Sequence, residues 1–127
     1  MATLRQGLRG SYYGSLQGES EPLTFEEMKL NAYYIWIYLS NEGWSINAIA
    51  GMLGNLQAES SINPGRWQSD DVGNVSGGYG LVQWTPSTKY TSWCADNGFS
   101  DPSEMDANLE RMLYEVANEI QWIPTSS

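Results

Sequence analysis

The chemistry open to this chain is set first by what it lacks. It contains no histidine and a single cysteine, Cys94. Ser-His-Asp and Cys-His catalysis and His-ligated zinc are therefore excluded. One cysteine forms neither an internal disulfide nor a thiolate cluster, and its ordinary reading is a buried, inert side chain. Catalysis, if there is any, has to run on carboxylates. Glu59 is the candidate among them, because it falls in the last turn of a helix expected to run from Ser45 to about Ser60. A helix C-terminus carries partial negative charge, which disfavours a second negative charge there. That field, with burial under Trp67 or Trp84, would favour the protonated form. A carboxylic acid held neutral is what glycoside cleavage needs, since the leaving oxygen must receive a proton. Position alone, however, favours a solvated surface glutamate.

Four helices must position such a group. Thr24 and Glu27 have capping-box spacing, and Met28, Ala32, Ile35 and Leu39 then share one helical face, with Gly43 as the stop. Ser45 caps the second helix, whose apolar face is Ile46, Ile49, Ala50, Leu53 and Leu56. Gly51 and Gly54 lie inside it, which suggests close approach of another backbone and a central place for this helix. Asn63-Pro64 ends it. Turn signals at Gly73-Asn74 and Gly77-Gly78 make Pro64 to Val82 a small β-hairpin or two short irregular strands. Thr85-Pro86 and Asp101-Pro102 look like starts of a third and a fourth helix. The fourth carries the stripe Met105, Leu109, Met112, Val116 and Ile120. The resulting class is α+β, mainly α. Residues 1–23, punctuated by Gly7, Gly10, Gly14 and Gly18, read as a flexible arm or linker, and residues 24–127 as the domain.

Composition narrows the partners. The chain has 127 residues, enough to bury a core without disulfides. Six basic against fifteen acidic residues give a net charge of −9. That argues against nucleic acid and anionic membrane, which select basic patches. It equally disfavours charge-driven capture of an anionic cell wall, so delivery by something else is expected. Arg5 and Arg9 precede no apolar run of the signal-peptide kind, and Ala32 to Leu39 is too short to cross a bilayer.

Three strings change the weight given to Glu59: Glu59-Ser60, Asn63-Pro64-Gly65, and Gly80-Leu81-Val82-Gln83-Trp84-Thr85-Pro86. They resemble the lysozyme superfamily, including goose-type lysozymes and soluble lytic transglycosylases. There a Glu-Ser pair closes the catalytic helix and a Gly-Leu-x-Gln segment lines the sugar cleft. The longer run from Gly51 to Gly65 is similar to the phage tail lysozyme family, over roughly residues 25 to 123. The resemblance implies a lysozyme-like fold with a central catalytic helix and a small hairpin, and Glu59 as general acid. It implies Gln83, the backbone at Gly80 and Ser60, beside the acid, as sugar-binding groups, with Trp67, Tyr79 and Trp84 flanking the cleft. Asp71, or its neighbour Asp70, is the second carboxylate, although a turn-capping role is as good a reading of Asp71. The implied activity is cleavage of the β-1,4 bond between N-acetylmuramic acid and N-acetylglucosamine in peptidoglycan. No metal and no organic cofactor is implied. A lytic transglycosylase and a non-catalytic tail or wall-binding module are the alternatives. The implied place is the virion tail. Domains of this family usually carry further helices past this point, so the expectation is a truncated or split domain, or one completed by a missing C-terminal segment or other phage tail proteins. Helix four is the surface expected to lack cover.

Overall fold

The computed structural model describes residues 1–118. Four helices pack around one core: α1 (Phe25–Asn41), α2 (Ile46–Ser60), α3 (Thr88–Asp96) and α4 (Met105–Ala117). The fold is α+β and mainly α, as expected. The two strong caps form as their spacing predicts. Thr24 accepts from the Glu27 amide while the Glu27 side chain accepts from the Thr24 amide, and Ser45 accepts from the Ala48 amide. Gly43 follows α1 with a left-handed φ of +89°.

The first residues depart from expectation. Residues 3–14 are a β-hairpin, β1 (Thr3–Gly7) paired antiparallel with β2 (Gly10–Gly14), rather than a flexible arm. An isolated two-stranded ribbon is marginal in water. This one is held by tertiary contacts: Tyr12 is buried edge-on against Tyr34 of α1, and Tyr13 exchanges two backbone bonds with the Asn31 amide.

The expected hairpin at 64–82 is correspondingly reduced. Between Pro64 and Trp84 the chain makes a 3₁₀ turn (Gln68–Asp70) and two isolated bridges, Trp67 to Tyr79 and Tyr79 to Trp84. Helix α3 begins at Thr88 and α4 at Met105, each later than its Pro signal suggested. Asp101 instead caps the preceding turn, accepting from the Ser103 amide and hydroxyl.

Met105, Leu109 and Met112 of α4 are fully buried, so this helix is not the uncovered one. Tyr34 and Tyr38 of α1 donate to Asp106 and Glu110 of α4 and fix the two helices together. Val116 is half-buried, and Ile120 lies outside the described residues. The open face is elsewhere. A groove of about 380 Å³ runs between α1 and α2, walled by Phe25, Met28, Ala32, Trp36, Leu53 and Gly54. The expected backbone neighbour of Gly51 and Gly54 is not there: a methyl group at either position would meet nothing within 4 Å.

Candidate active site

Glu59 sits in the final turn of α2, as expected, but it is exposed rather than buried under tryptophan. At about 100° per residue it projects from the flank of α2 opposite Ala50, Gly54 and Gln57, hence away from the α1 groove. Its carboxylate meets no hydrogen-bond partner among the described residues. Next to it, Ser60 is fully buried and donates back to the Leu56 carbonyl, a structural role rather than a sugar contact.

The chain leaves Glu59 through a strained turn. Ser61 and Ile62 both have φ near +57°. A β-branched residue there is a true outlier, and each such residue costs of order 1–3 kcal/mol. The five non-glycine residues with left-handed φ among the described residues (Ser61, Ile62, Ser69, Asp70 and Gln83) all fall in this one region. Such strain persists only where the surroundings over-determine it. Here three fully buried asparagines do so. Asn31 donates to the Ile62 carbonyl at 2.8 Å. Asn63 accepts from the Ser15 and Gly65 amides and donates to Ser15 Oγ and the Glu21 carbonyl. Asn108 accepts from the Leu81 amide at 2.9 Å and donates to the carbonyls of Pro64, Pro102 and Glu104.

Arg66 carries the turn over to the wall. One guanidinium nitrogen reaches the Ser60 carbonyl and Ser61 Oγ, and the others hold Asp70 at 2.7 and 3.4 Å. Asp70 also accepts from Ser20 Oγ. Slight burial works against its ionisation, but the Arg66 and Ser20 hydrogen bonds outweigh it and hold the carboxyl below its ordinary range. Asp70 is thus committed to an ion pair. Asp71 is exposed, and its side chain has no partner among the described residues. Asn74 donates to its backbone carbonyl only.

The Gly80–Trp84 segment forms the far side of the wall, with roles that differ from expectation. The Gln83 amide donates to the carbonyls of Arg66 (2.9 Å) and Gly80 (2.8 Å). Both its N–H groups are used in holding the turn, so it positions the wall. Gly80, at φ +87°, is obligatory: a methyl there would stand 2.7 Å from Asn108 Oδ1 and 3.0 Å from the Trp84 ring. Trp84 is a core residue, 1% exposed, stacked on Tyr90 at 4.4 Å and donating its indole N–H to buried Glu115. Tyr79 is buried as well. Of the three aromatics, only Trp67 is partly exposed; it meets Tyr79 edge-on at 4.7 Å.

Asn31, Asn108 and Arg66 were missed in the sequence. A signal existed for the first two, since each stands at helical spacing within an apolar face, where a polar side chain needs a buried partner. Cys94 is buried, and burial pushes its thiol upward, away from reactivity. No group of three or more His, Cys, Asp or Glu among the described residues could hold a metal ion. No described helix is long and apolar enough to cross a membrane.

Comparison with known proteins gives the family. Morphogenesis protein 1 of Bacillus phage B103 is 56% identical over 101 residues, which is 80% of this chain and 27% of that protein. The chain therefore spans about a quarter of the length of that relative. A family model described as phage tail lysozyme matches residues 30–126, from the middle of α1 past the end of α4. That span contains Glu59, its strained exit and the whole wall from Arg66 to Trp84, and it assigns the chain to the phage tail lysozyme family.

Proposed function

We propose that this chain is a glycan-cutting domain of a phage tail. It cleaves the β-1,4 bond between N-acetylmuramic acid and N-acetylglucosamine of peptidoglycan. Glu59 is the acid: its proton passes to the leaving oxygen as the C–O bond breaks and positive charge develops at the anomeric carbon. One observation carries this reading. In a chain of the lysozyme family, an exposed carboxyl closes α2 directly before a doubly left-handed turn, and that turn is braced by Arg66, Asn31 and Asn63. Asp71 is the carboxylate left available to stabilise that charge or activate water, because Asp70 is engaged by Arg66. Ser60, Gly80, Gln83 and Trp84 position the machinery, and Trp67 is the aromatic placed to touch sugar. The domain works from the virion tail, carried to the wall by the particle, as its charge of −9 suggests.

Glu59→Gln tests the reading, because it keeps the shape and removes the acidic proton. Loss of general acid catalysis typically costs 10²–10⁴-fold. Turbidity loss of purified walls should fall by about that factor with an unchanged circular dichroism spectrum. Lysis near the wild-type rate would reject Glu59 as the acid. Asp71→Asn should fall less. Mass spectrometry of the products separates a reducing-end sugar from an anhydro product, and so hydrolysis from transglycosylation.

A further inference from the structure

The buried asparagines account for only part of the strain in the wall. Asn31, Asn63 and Asn108 reach Ile62, Gly65 and Leu81, and among the described residues none of them bonds to residues 67–70. Ser69 and Asp70, at φ +54° and +55°, are a second strained pair. They lie in the 3₁₀ turn between Trp67 and Asp71, the two wall residues read above as facing substrate. Strain of this kind persists only where something over-determines it.

Ser20 clamps this turn. Its hydroxyl accepts the Trp67 N–H at 2.9 Å and donates to Asp70 Oδ1 at 2.7 Å, so one atom ties both ends of the strained turn. The hydroxyl has a single proton, and the carboxylate at 2.7 Å takes it in preference to the Trp67 carbonyl at 3.4 Å. The position therefore needs a group that donates and accepts at once, as serine and threonine do and alanine does not. From Asp70 it needs an acceptor oxygen rather than a charge. Asp70 Oδ1 also accepts from Arg66 Nε at 2.7 Å, which joins the clamp to the arginine that reaches Ser60 and Ser61 beside Glu59. Ser20 is itself held in place from both sides. Ser15 is fully buried, donates its N–H to Asn63 and accepts on Oγ from the Asn63 amide. The Glu21 carbonyl accepts from that same amide at 2.7 Å. Behind Ser15, the hairpin is anchored by Arg5 on Asp101 and Ser103. All of these strand and loop residues lie before residue 30, where the match to the family begins, except the anchors Asn63, Asp101 and Ser103.

We propose that residues 15–21 are a strap, lying outside the matched family span, and that Ser20 is a positioning residue that sets Trp67 and Asp71 against the substrate. The assignment rests on the glycan-cutting reading of the previous subsection. Ser20 acts through the turn it closes and touches no reacting atom.

The test is the kinetics of the full chain on purified walls, with Ser20→Ala, Ser20→Thr and Asp71→Asn. Turbidity loss at increasing wall concentration gives apparent kcat and KM, at a temperature where circular dichroism shows every variant folded. A misplacement of 1 Å can cost of order 10²-fold in rate, so a fraction of that should lower kcat about tenfold in Ser20→Ala. Ser20→Thr keeps the hydroxyl and should recover most of the rate. Amide hydrogen exchange at Trp67 should quicken in Ser20→Ala and not in Ser20→Thr. In the Asp71→Asn background, adding Ser20→Ala should cost only about twofold more, because groups that act through one another are not additive. The proposal is overturned if Ser20→Ala turns over like wild type, if Ser20→Thr does not recover the rate, or if the two losses multiply in full. Glu59→Gln separates this proposal from the acid assignment. If it abolishes lysis while Ser20→Ala stays fully active, the strap fails alone. If it still lyses walls while Ser20→Ala falls and Ser20→Thr recovers, the acid assignment fails and the strap stands.

Discussion

On one side of α2, the chain from Ser60 to Gly65 is fixed by amides that are fully buried, and on the other, the groove against α1 is walled by methyl groups and rings that face open space. The first side is directional. Asn31, Asn63 and Asn108 each join segments far apart in sequence, and each bond defines an angle as well as a distance. The second side has area but no direction, with Phe25 and Tyr33 each 65% exposed beside it. The contrast teaches where this fold spends its specificity. The wall proposed to flank a reacting sugar would have to hold its groups to within fractions of an ångström, and buried hydrogen bonds do this better than apolar packing. The same contrast is visible in the glycines. A methyl group on Gly80 or Gly65 would press against Asn108 or the Ser15 carbonyl, whereas one on Gly51 or Gly54 would meet open space.

The largest effect should come from the polar side. Asn108→Ala strands the buried Leu81 amide and removes donors from three carbonyls. An unsatisfied buried donor costs about 1–3 kcal/mol, with more from the carbonyls, so a loss of about 3–4 kcal/mol is expected in urea unfolding. A loss below 1 kcal/mol would mean that water replaces the amide and that the wall is not held as described. Next come two glycine changes with opposite signs. Gly80→Ala meets both positive φ and a 2.7 Å clash, and should destabilise by about 1–3 kcal/mol. Gly54→Ala, in a helix with space around it, should stabilise by about 1 kcal/mol. If Gly54→Ala destabilises instead, something seats closely on that flank and the open groove is covered.

Much of the helical frame was legible in sequence because its signals are local. The Thr24–Glu27 box and the Ser45 cap are bonds between neighbours in the chain, so spacing alone reveals them. What failed depended on distant partners. The hairpin at 3–14 has no useful period, and it exists because Tyr12 and Tyr13 find Tyr34 and Asn31 in α1. Trp84 offered an amphipathic ring suited to sugar, but its N–H is consumed by Glu115, 31 positions away. Gln83 has the right side chain for a ligand and spends it on Arg66 and Gly80. Pro86 and Pro102 marked turns, and the helices begin after those turns. Glu59 was placed correctly on its helix, whereas its exposure depends on a wall whose shape no local pattern encodes.

The smallest expected effect concerns the ion pair that joins the strained exit to the N-terminal loop. Asp70 is held below its ordinary value of 3.8 by Arg66 and Ser20 despite slight burial. A depressed folded value means that the unfolded chain takes up the proton first. The pair's stabilisation is therefore complete above about pH 4 and disappears as pH falls through the lower folded value. Because Asp70 is more than one-third exposed, solvent screens the pair and the amplitude should be modest. Asp101 is depressed in the same direction, as its bonds from Ser103 and the charge of Arg5 outweigh its burial, so an acid limb should survive in any Asp70 variant. Asp70→Asn should thus flatten, without abolishing, the fall in urea midpoint below pH 4, and 0.5 M salt should flatten it similarly in the wild type. Arg66→Gln should reproduce the flattening and also loosen the Ser61 turn, lowering activity at neutral pH where Asp70→Asn has little effect. Identical acid limbs in wild type and Asp70→Asn would show that the pair forms in the folded state without contributing to its stability, leaving the buried asparagines to hold the exit of α2.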